Sequence, residues 1–219
     1  MKLYIVRHGE TQWNKRHILQ GQLDSPLTET GVGGAKKIKE ALEPINFKTV
    51  YTSELKRAID TADIIISEKK DIITIRDNDI AEMSYGSWQG KTKEEICIDA
   101  EHKDMYYNYF KKPEKYIPIA GGETFEEVIK RAERFLDRVK NEHGENEAAL
   151  VVTHGVFIKA VFNIINQRNI EEFWERPFVT NCSISILEIE DSGIKVIKEV
   201  DIEHLGEHTV ATEEVDYIK

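Results

Sequence analysis

The 219-residue chain has no apolar run approaching the roughly 20 residues that cross a bilayer. Its opening residues, 1–6, carry no signal-peptide pattern. Neither a membrane span nor export is expected, and the cytoplasm is the expected compartment. Only two cysteines are present, Cys97 and Cys182, far apart and without CxxC pairing. They supply no material for a disulfide framework or a zinc ribbon. Cations are outnumbered, with 30 Lys and Arg against 40 Asp and Glu for a formal charge of −10. Nucleic acid and anionic membrane surfaces need a basic face, and this chain has no surplus from which to make one. Prolines number five, and no repeat or low-complexity tract occurs, which excludes collagen-like and disordered classes. What remains is an ordinary globular composition, 40% hydrophobic and 32% charged. Its length suits one domain over residues 1–219.

Short β-branched apolar runs at 3–6, 49–52, 72–75 and 148–152 read as strands, the first of them buried. Between them lie helical periodicities. Val32, Ala35, Ile38 and Leu42 share a face within 28–42, and Leu55, Ala58, Ile59, Ala62 and Ile66 share one behind Ser53, a plausible N-cap. Thr124 and Glu127 form a capping box ahead of Phe125, Val128, Ala132, Phe135 and Val139. Residues 156–165 are apolar nearly all round, as in a helix packed between layers. Residues 185–189 and 194–200 flank Asp191-Ser192-Gly193 as a hairpin. Residues 10–26 fit neither period and read as a long loop, and 82–90 as a shorter one. Strands alternating with helices imply an α/β protein, a three-layer α/β/α sandwich around a mostly parallel mixed sheet with at least one antiparallel strand.

In open α/β sheets ligands gather beyond the carboxyl ends of the strands. Three such ends carry cations: Arg7-His8 after the first strand, Arg57 just past the second, and His154 after the strand at 148–152. A lone histidine at a strand end is commonly structural. Two of them, each followed by glycine and one preceded by arginine, point to a shared ligand. Arginines aimed at one crevice hold a phosphate by bidentate charge-assisted hydrogen bonds, and helix N-termini add N–H donors. Gly9 and Gly155 leave no Cβ in the way of a close ligand.

The run Leu3-Tyr4-Ile5-Val6-Arg7-His8-Gly9-Glu10-Thr11-Gln12-Trp13-Asn14 closely resembles the signature of the histidine phosphatase superfamily, which includes cofactor-dependent phosphoglycerate mutases. The resemblance continues through Leu19-Gln20-Gly21, Asp24, Pro26-Leu27-Thr28, Gly31 and Ser53-Glu54-Leu55-Lys56-Arg57-Ala58. It returns at Glu82, Trp88-Gln89-Gly90, Gly121-Gly122-Glu123-Thr124 and Val151-Val152-Thr153-His154-Gly155. It implies that His8 is the nucleophile, that Arg7, Arg57 and His154 bind phosphoryl oxygens, and that Glu82 protonates the leaving oxygen. Asn14, Gln20, Gly21 and Gly155 would complete the substrate pocket. Neutral imidazole is a competent nucleophile at neutral pH, and fixed Arg and His donors meet the charge that develops on the phosphoryl group. Neither a metal nor another cofactor is then expected, and the partner is a small phosphate monoester.

A mutase must keep water from the phosphohistidine, whereas a phosphatase admits it. Mutases of this superfamily carry a longer insertion, with a basic and proline-rich stretch, between the Glu82 loop and the Gly-Gly-Glu block. Here only 90–120 fills the interval and that pattern is absent. Leu19-Gln20-Gly21 and Trp88-Gln89-Gly90 also look more like the phosphatase branch, so hydrolysis is favoured. The alternatives are a mutase using 2,3-bisphosphoglycerate and a non-catalytic phosphate-ester sensor. The stretch Met105, Tyr106, Tyr107, Tyr109, Phe110, Lys111, Lys112 either lies over the pocket or packs a peripheral helix, packing being favoured. His204 and His208 stand four apart, but Gly206 between them and the lack of a third ligand argue against a metal clamp. Oligomeric state has no legible signal.

Overall fold

The computed structural model describes residues 1–206. His208 lies outside them, and His204 places Nε2 3.0 Å from the Cys182 carbonyl oxygen. The strands are β1 (Lys2–Arg7), β2 (Thr49–Thr52), β3 (Ile73–Arg76), β4 (Ala148–Thr153), β5 (Ile184–Glu190) and β6 (Gly193–Asp201). The helices are α1 (Gln12–Lys15), α2 (Glu29–Ala41), α3 (Lys56–Ile66), α4 (Lys93–Ile96), α5 (Ala100–Lys111), α6 (Phe125–Glu142) and α7 (Gly155–Ile165). The strands form one sheet in the order β3-β2-β4-β1-β5-β6. β1 to β4 pair in parallel, and β5 and β6 add an antiparallel hairpin at one side.

The alternation of side chains along each strand divides the core into two layers. Leu3 and Ile5 of β1, Tyr51 of β2, and Ala149 and Val151 of β4 face a cluster with Val128, Phe135 and Val139 of α6 and Phe157 and Val161 of α7. Tyr4, Val6, Val50, Leu150 and Val152 face the other side, against Ile38 of α2 and Ala58, Ala62 and Ile65 of α3. This is the three-layer sandwich expected from alternating strand and helix periods. The capping box is present at α6, where the Thr124 and Glu127 side chains accept each other's backbone N–H at 3.1 and 2.8 Å.

Two expectations need correction. Residues 10–26 contain a helical turn, α1, closed by a capping box between Thr11 and Asn14. One turn is too short to leave a periodic signature. Ser53 is not the N-cap of α3. The N-cap position is Leu55, without a side-chain cap, and the orphan N–H groups of Lys56 and Arg57 donate instead to the Asp24 carboxylate at 2.8 and 3.3 Å. A carboxylate at a helix N-terminus also complements the macrodipole. That partner is more than thirty residues upstream, beyond the reach of any local capping rule.

Candidate active site

β1 and β4 run side by side with Arg7 opposite Thr153, so the residues that follow, His8 and His154, leave the sheet together. Their rings lie 5.1 Å apart between centroids. His8 is 2% exposed and His154 fully buried. The His8 N–H donates to the Thr153 carbonyl at 2.9 Å, prolonging the β1–β4 pairing by one residue. The next N–H, of Gly9, donates to Thr61 Oγ1 of α3 at 3.0 Å.

The hydrogen bonds of His8 select one tautomer. Nδ1 lies 2.8 Å from the Gly9 carbonyl oxygen, which can only accept, and Arg57 Nε–H donates to Nε2 at 3.2 Å. The ring proton therefore sits on Nδ1 and the Nε2 lone pair faces the pocket cations. Burial, then the charges of Arg57 and Arg7, push the His8 imidazole well below its ordinary pKa, with the Gly9 carbonyl opposing.

Arg57, 1% exposed, is held as a rigid fork. Its terminal nitrogens donate to the Leu23 and Gly21 carbonyls, both at 2.7 Å, and to Asp24 Oδ1 at 2.9 Å. Gly21 has φ +54°, and a Cβ there would meet Gln89 Oε1 at 2.2 Å. The positive φ calls for glycine, and a side chain there would also displace the Gln89 carboxamide. Arg7 donates to the Val179 carbonyl at 2.6 Å. Neither nitrogen of the His154 imidazole has a hydrogen-bond partner among the described residues. Burial lowers its pKa well below the ordinary value, followed by Arg57, His8, Arg131 and Arg7. A buried imidazole with both nitrogens unpartnered needs an explanation, and a bound ligand supplies one.

Glu82 approaches from the opposite wall, 9% exposed. Its carboxylate accepts from the Met83 N–H at 2.9 Å and from the Val156 N–H at 3.2 Å, in the first turn of α7. Burial raises its pKa above the usual carboxylate range, against the pull of the Met83 N–H, Arg57 and Arg7. The Gly121-Gly122-Glu123-Thr124 block holds this loop in place. Glu123 accepts from the Ser84 N–H at 2.7 Å and pairs with Arg131, whose Nη1 donates to the Asp79 and Ala81 carbonyls.

Arg7, His8, Arg57, Glu82, Asn14, Gln20, Gly21 and Gly155 all line one pocket of about 190 Å³, and His154 lies buried beside His8. The Asn14 carboxamide oxygen accepts from Thr11, and Gln20 Oε1 from Ser25 Oγ at 3.5 Å. Gly155 faces the site, where a Cβ would lie 3.5 Å from Arg7 Nε. Gly9 has a different reason to be glycine: its Cβ would meet the Gly31 carbonyl oxygen at 2.7 Å, so α2, not a ligand, requires it. Of the aromatic stretch, Tyr109 and Phe110 line the pocket, whereas Tyr106 packs on Trp88. The far wall, Trp174, Phe178, Val179 and Thr180, and Lys159 of α7 carried no sequence signal. Residues 170–180 have no strand or α-helix period, and Lys159 sits in a helix that reads as uniformly apolar.

The family model described as histidine phosphatase superfamily (branch 1) matches residues 3–202. Phosphoserine phosphatase 1 of Hydrogenobacter thermophilus is 31% identical over 210 residues, covering 96% of this chain and 97% of its own length. The metal-independent phosphoserine phosphatase of Arabidopsis thaliana is 32% identical, over 94% of this chain and 83% of its own. Among solved structures, Bacillus stearothermophilus YhfR superposes with a TM-score of 0.88 at 33% identity, covering 93% of this chain and 98% of the other.

Proposed function

The chain belongs to the histidine phosphatase superfamily, branch 1, and from that premise we propose that it hydrolyses small phosphate monoesters through a phosphohistidine on His8. The observation that carries this reading is the Nδ1-protonated His8, whose Nε2 meets Arg57 at the floor of a pocket that also presents Arg7 and Glu82. Arg57 Nε–H rests on His8 Nε2. As the ester enters, a phosphoryl oxygen takes over that N–H, and phosphorus comes to face the released lone pair. The Nε2–P bond forms while the bond between phosphorus and the ester oxygen breaks. Glu82, whose raised pKa favours the protonated form, gives its proton to the departing oxygen.

Arg7, Arg57 and His154 would hold the three remaining phosphoryl oxygens, donors fixed in place before the charge moves. His154 donates through a ring N–H, which the neutral imidazole favoured by its lowered pKa still carries. Asn14, Gln20, Gly21 and Gly155 form the adjoining wall. The Glu82 carboxylate then takes a proton from water, which attacks phosphorus, and the P–N bond breaks to regenerate neutral His8 and release phosphate. Splitting the transfer avoids direct attack of water on a poorly activated ester.

His8→Ala should abolish turnover of p-nitrophenyl phosphate and the acid-labile phosphoenzyme detected after rapid quench. Turnover that survives in this variant would overturn the covalent route. Assaying 3-phosphoglycerate with and without 2,3-bisphosphoglycerate separates the branches: free phosphate supports hydrolysis, and 2-phosphoglycerate supports a mutase.

A further inference from the structure

We propose that the organic part of the natural ester is an uncharged apolar or aromatic group, and that the pocket selects against esters carrying an ammonium. The inference rests on the hydrolytic reading above and concerns the half of the pocket that does not touch phosphate. Beyond Arg7, His8 and Arg57 the walls are Ile18 and Leu19 on one side, and Tyr109, Phe110, Trp174 and Phe178 on the other. Leu19, Phe110, Trp174 and Phe178 are only half-buried. Large apolar side chains left partly open around a concave site gain free energy when an apolar ligand covers them.

The rings are fixed by one another before any ligand arrives. Centroids lie 4.6 Å apart for Tyr109 and Phe110, 5.1 Å for Tyr109 and Trp174, and 5.6 Å for Phe110 and Trp174. Their polar atoms are already engaged. The Trp174 indole N–H donates to the Tyr109 carbonyl, and the Tyr85 and Tyr109 hydroxyls meet at 3.0 Å. Ring faces and edges are therefore what this wall offers.

Charge points the same way. The pocket lining holds Arg7, Arg57 and Lys159 against one carboxylate, Glu82. That carboxylate is occupied by the Met83 and Val156 N–H groups and is needed as an acid. Lys159 is buried and donates to the Glu175 and Pro177 carbonyls, and no carboxylate among the described residues is hydrogen-bonded to it. An ammonium on the substrate would enter beside like charge, with the neutral Thr180 hydroxyl to accept from it but no second carboxylate among the described lining residues, and would lose its water. The phosphoserine named for two relatives carries such a group, so this chain should differ from them in what it prefers.

The test compares kcat/KM for 2-phenylethyl phosphate, ethyl phosphate and O-phosphoserine, all esters of alkyl alcohols, with p-nitrophenyl phosphate as a general substrate. Phenylethyl phosphate should exceed ethyl phosphate at least about tenfold, the scale on which burying one aromatic ring contributes. O-phosphoserine should not exceed ethyl phosphate. A preference for phosphoserine over phenylethyl phosphate, with p-nitrophenyl phosphate turned over, would overturn the proposal and leave hydrolysis standing. Failure to turn over any of the four esters would remove hydrolysis itself, and the proposal with it. Phe110→Ala should lower the phenylethyl to ethyl ratio by about fivefold or more. Should that variant fail to fold, Leu19→Asn at the rim gives the same reading, and an unchanged ratio counts against the idea. Binding of 2-phenylethylphosphonate to the wild type, tighter than ethylphosphonate by a similar factor, checks the preference without turnover.

Discussion

Two side chains in the pocket have ionisations pushed in opposite directions, and the sense of each suits its proposed role. His8 must be neutral to attack, and burial beside Arg57 and Arg7 lowers its pKa. The acid limb of the rate profile should therefore lie below the ordinary imidazole value of about 6.5. Glu82 must be protonated to deliver its proton, and burial raises its pKa. Activity on alkyl phosphates should fall as pH rises through that raised value, giving an acid-leaning optimum. Glu82→Gln keeps a neutral side chain but has no proton to transfer. It should slow alkyl phosphates by about 100-fold or more and p-nitrophenyl phosphate far less, since that leaving group needs little protonation. Pre-steady-state and steady-state rates over pH would check both claims, and equal slowing of the two substrates would remove the acid role.

Among the secondary-structure elements, the first turn of α3 is where an otherwise ordinary helix is tied to catalysis. Asp24, in the segment between α1 and α2, accepts from the Lys56 and Arg57 N–H groups and from the Arg57 guanidinium. One carboxylate thus replaces a missing local cap and aims the arginine at His8. Asp24→Ala should cost about 1–2 kcal/mol of stability by denaturant titration, with kcat/KM reduced about tenfold as the guanidinium loses its alignment. Asp24→Asn should recover most of the stability, because asparagine caps nearly as well, and less of the activity, because it does not complement the arginine's charge. If the two variants were equally stable, the helix-capping role would be wrong.

At the level of the whole molecule, stability carries the cost of keeping two imidazoles buried and neutral. His8 and His154 both bind protons more weakly when folded than the ordinary value near 6.5. As pH falls through that value the unfolded chain takes up protons that the folded chain refuses, so stability falls. Glu82 acts oppositely: its raised pKa favours the fold at low pH, a contribution lost as pH rises through the raised value. His204, whose pKa burial also lowers, adds to these two imidazoles, and against one raised carboxyl they predict a net loss of thermal midpoint on going from about pH 7.5 to about pH 5.5. His154→Asn, which removes one titrating ring, should flatten that dependence. A midpoint level across the range, or an unchanged slope in the variant, would refute the account.

Strand and helix periods, the α6 capping box and the cations at three strand ends were legible in the chain because each depends on neighbours a few residues away. The histidine and arginine motifs were legible for a related reason: sheet topology carries strand ends of known type to one edge. What lay beyond reach was set by contacts between distant segments. Asp24 rather than Ser53 caps α3, and Gly9 must be glycine for the backbone of Gly31. Residues 170–180 fold over the pocket without any period to announce them. Local order is written in spacing. The apolar wall, the lowered imidazole pKa values and the raised Glu82 arise only when remote residues meet and shut out water, and no window along the chain contains that information.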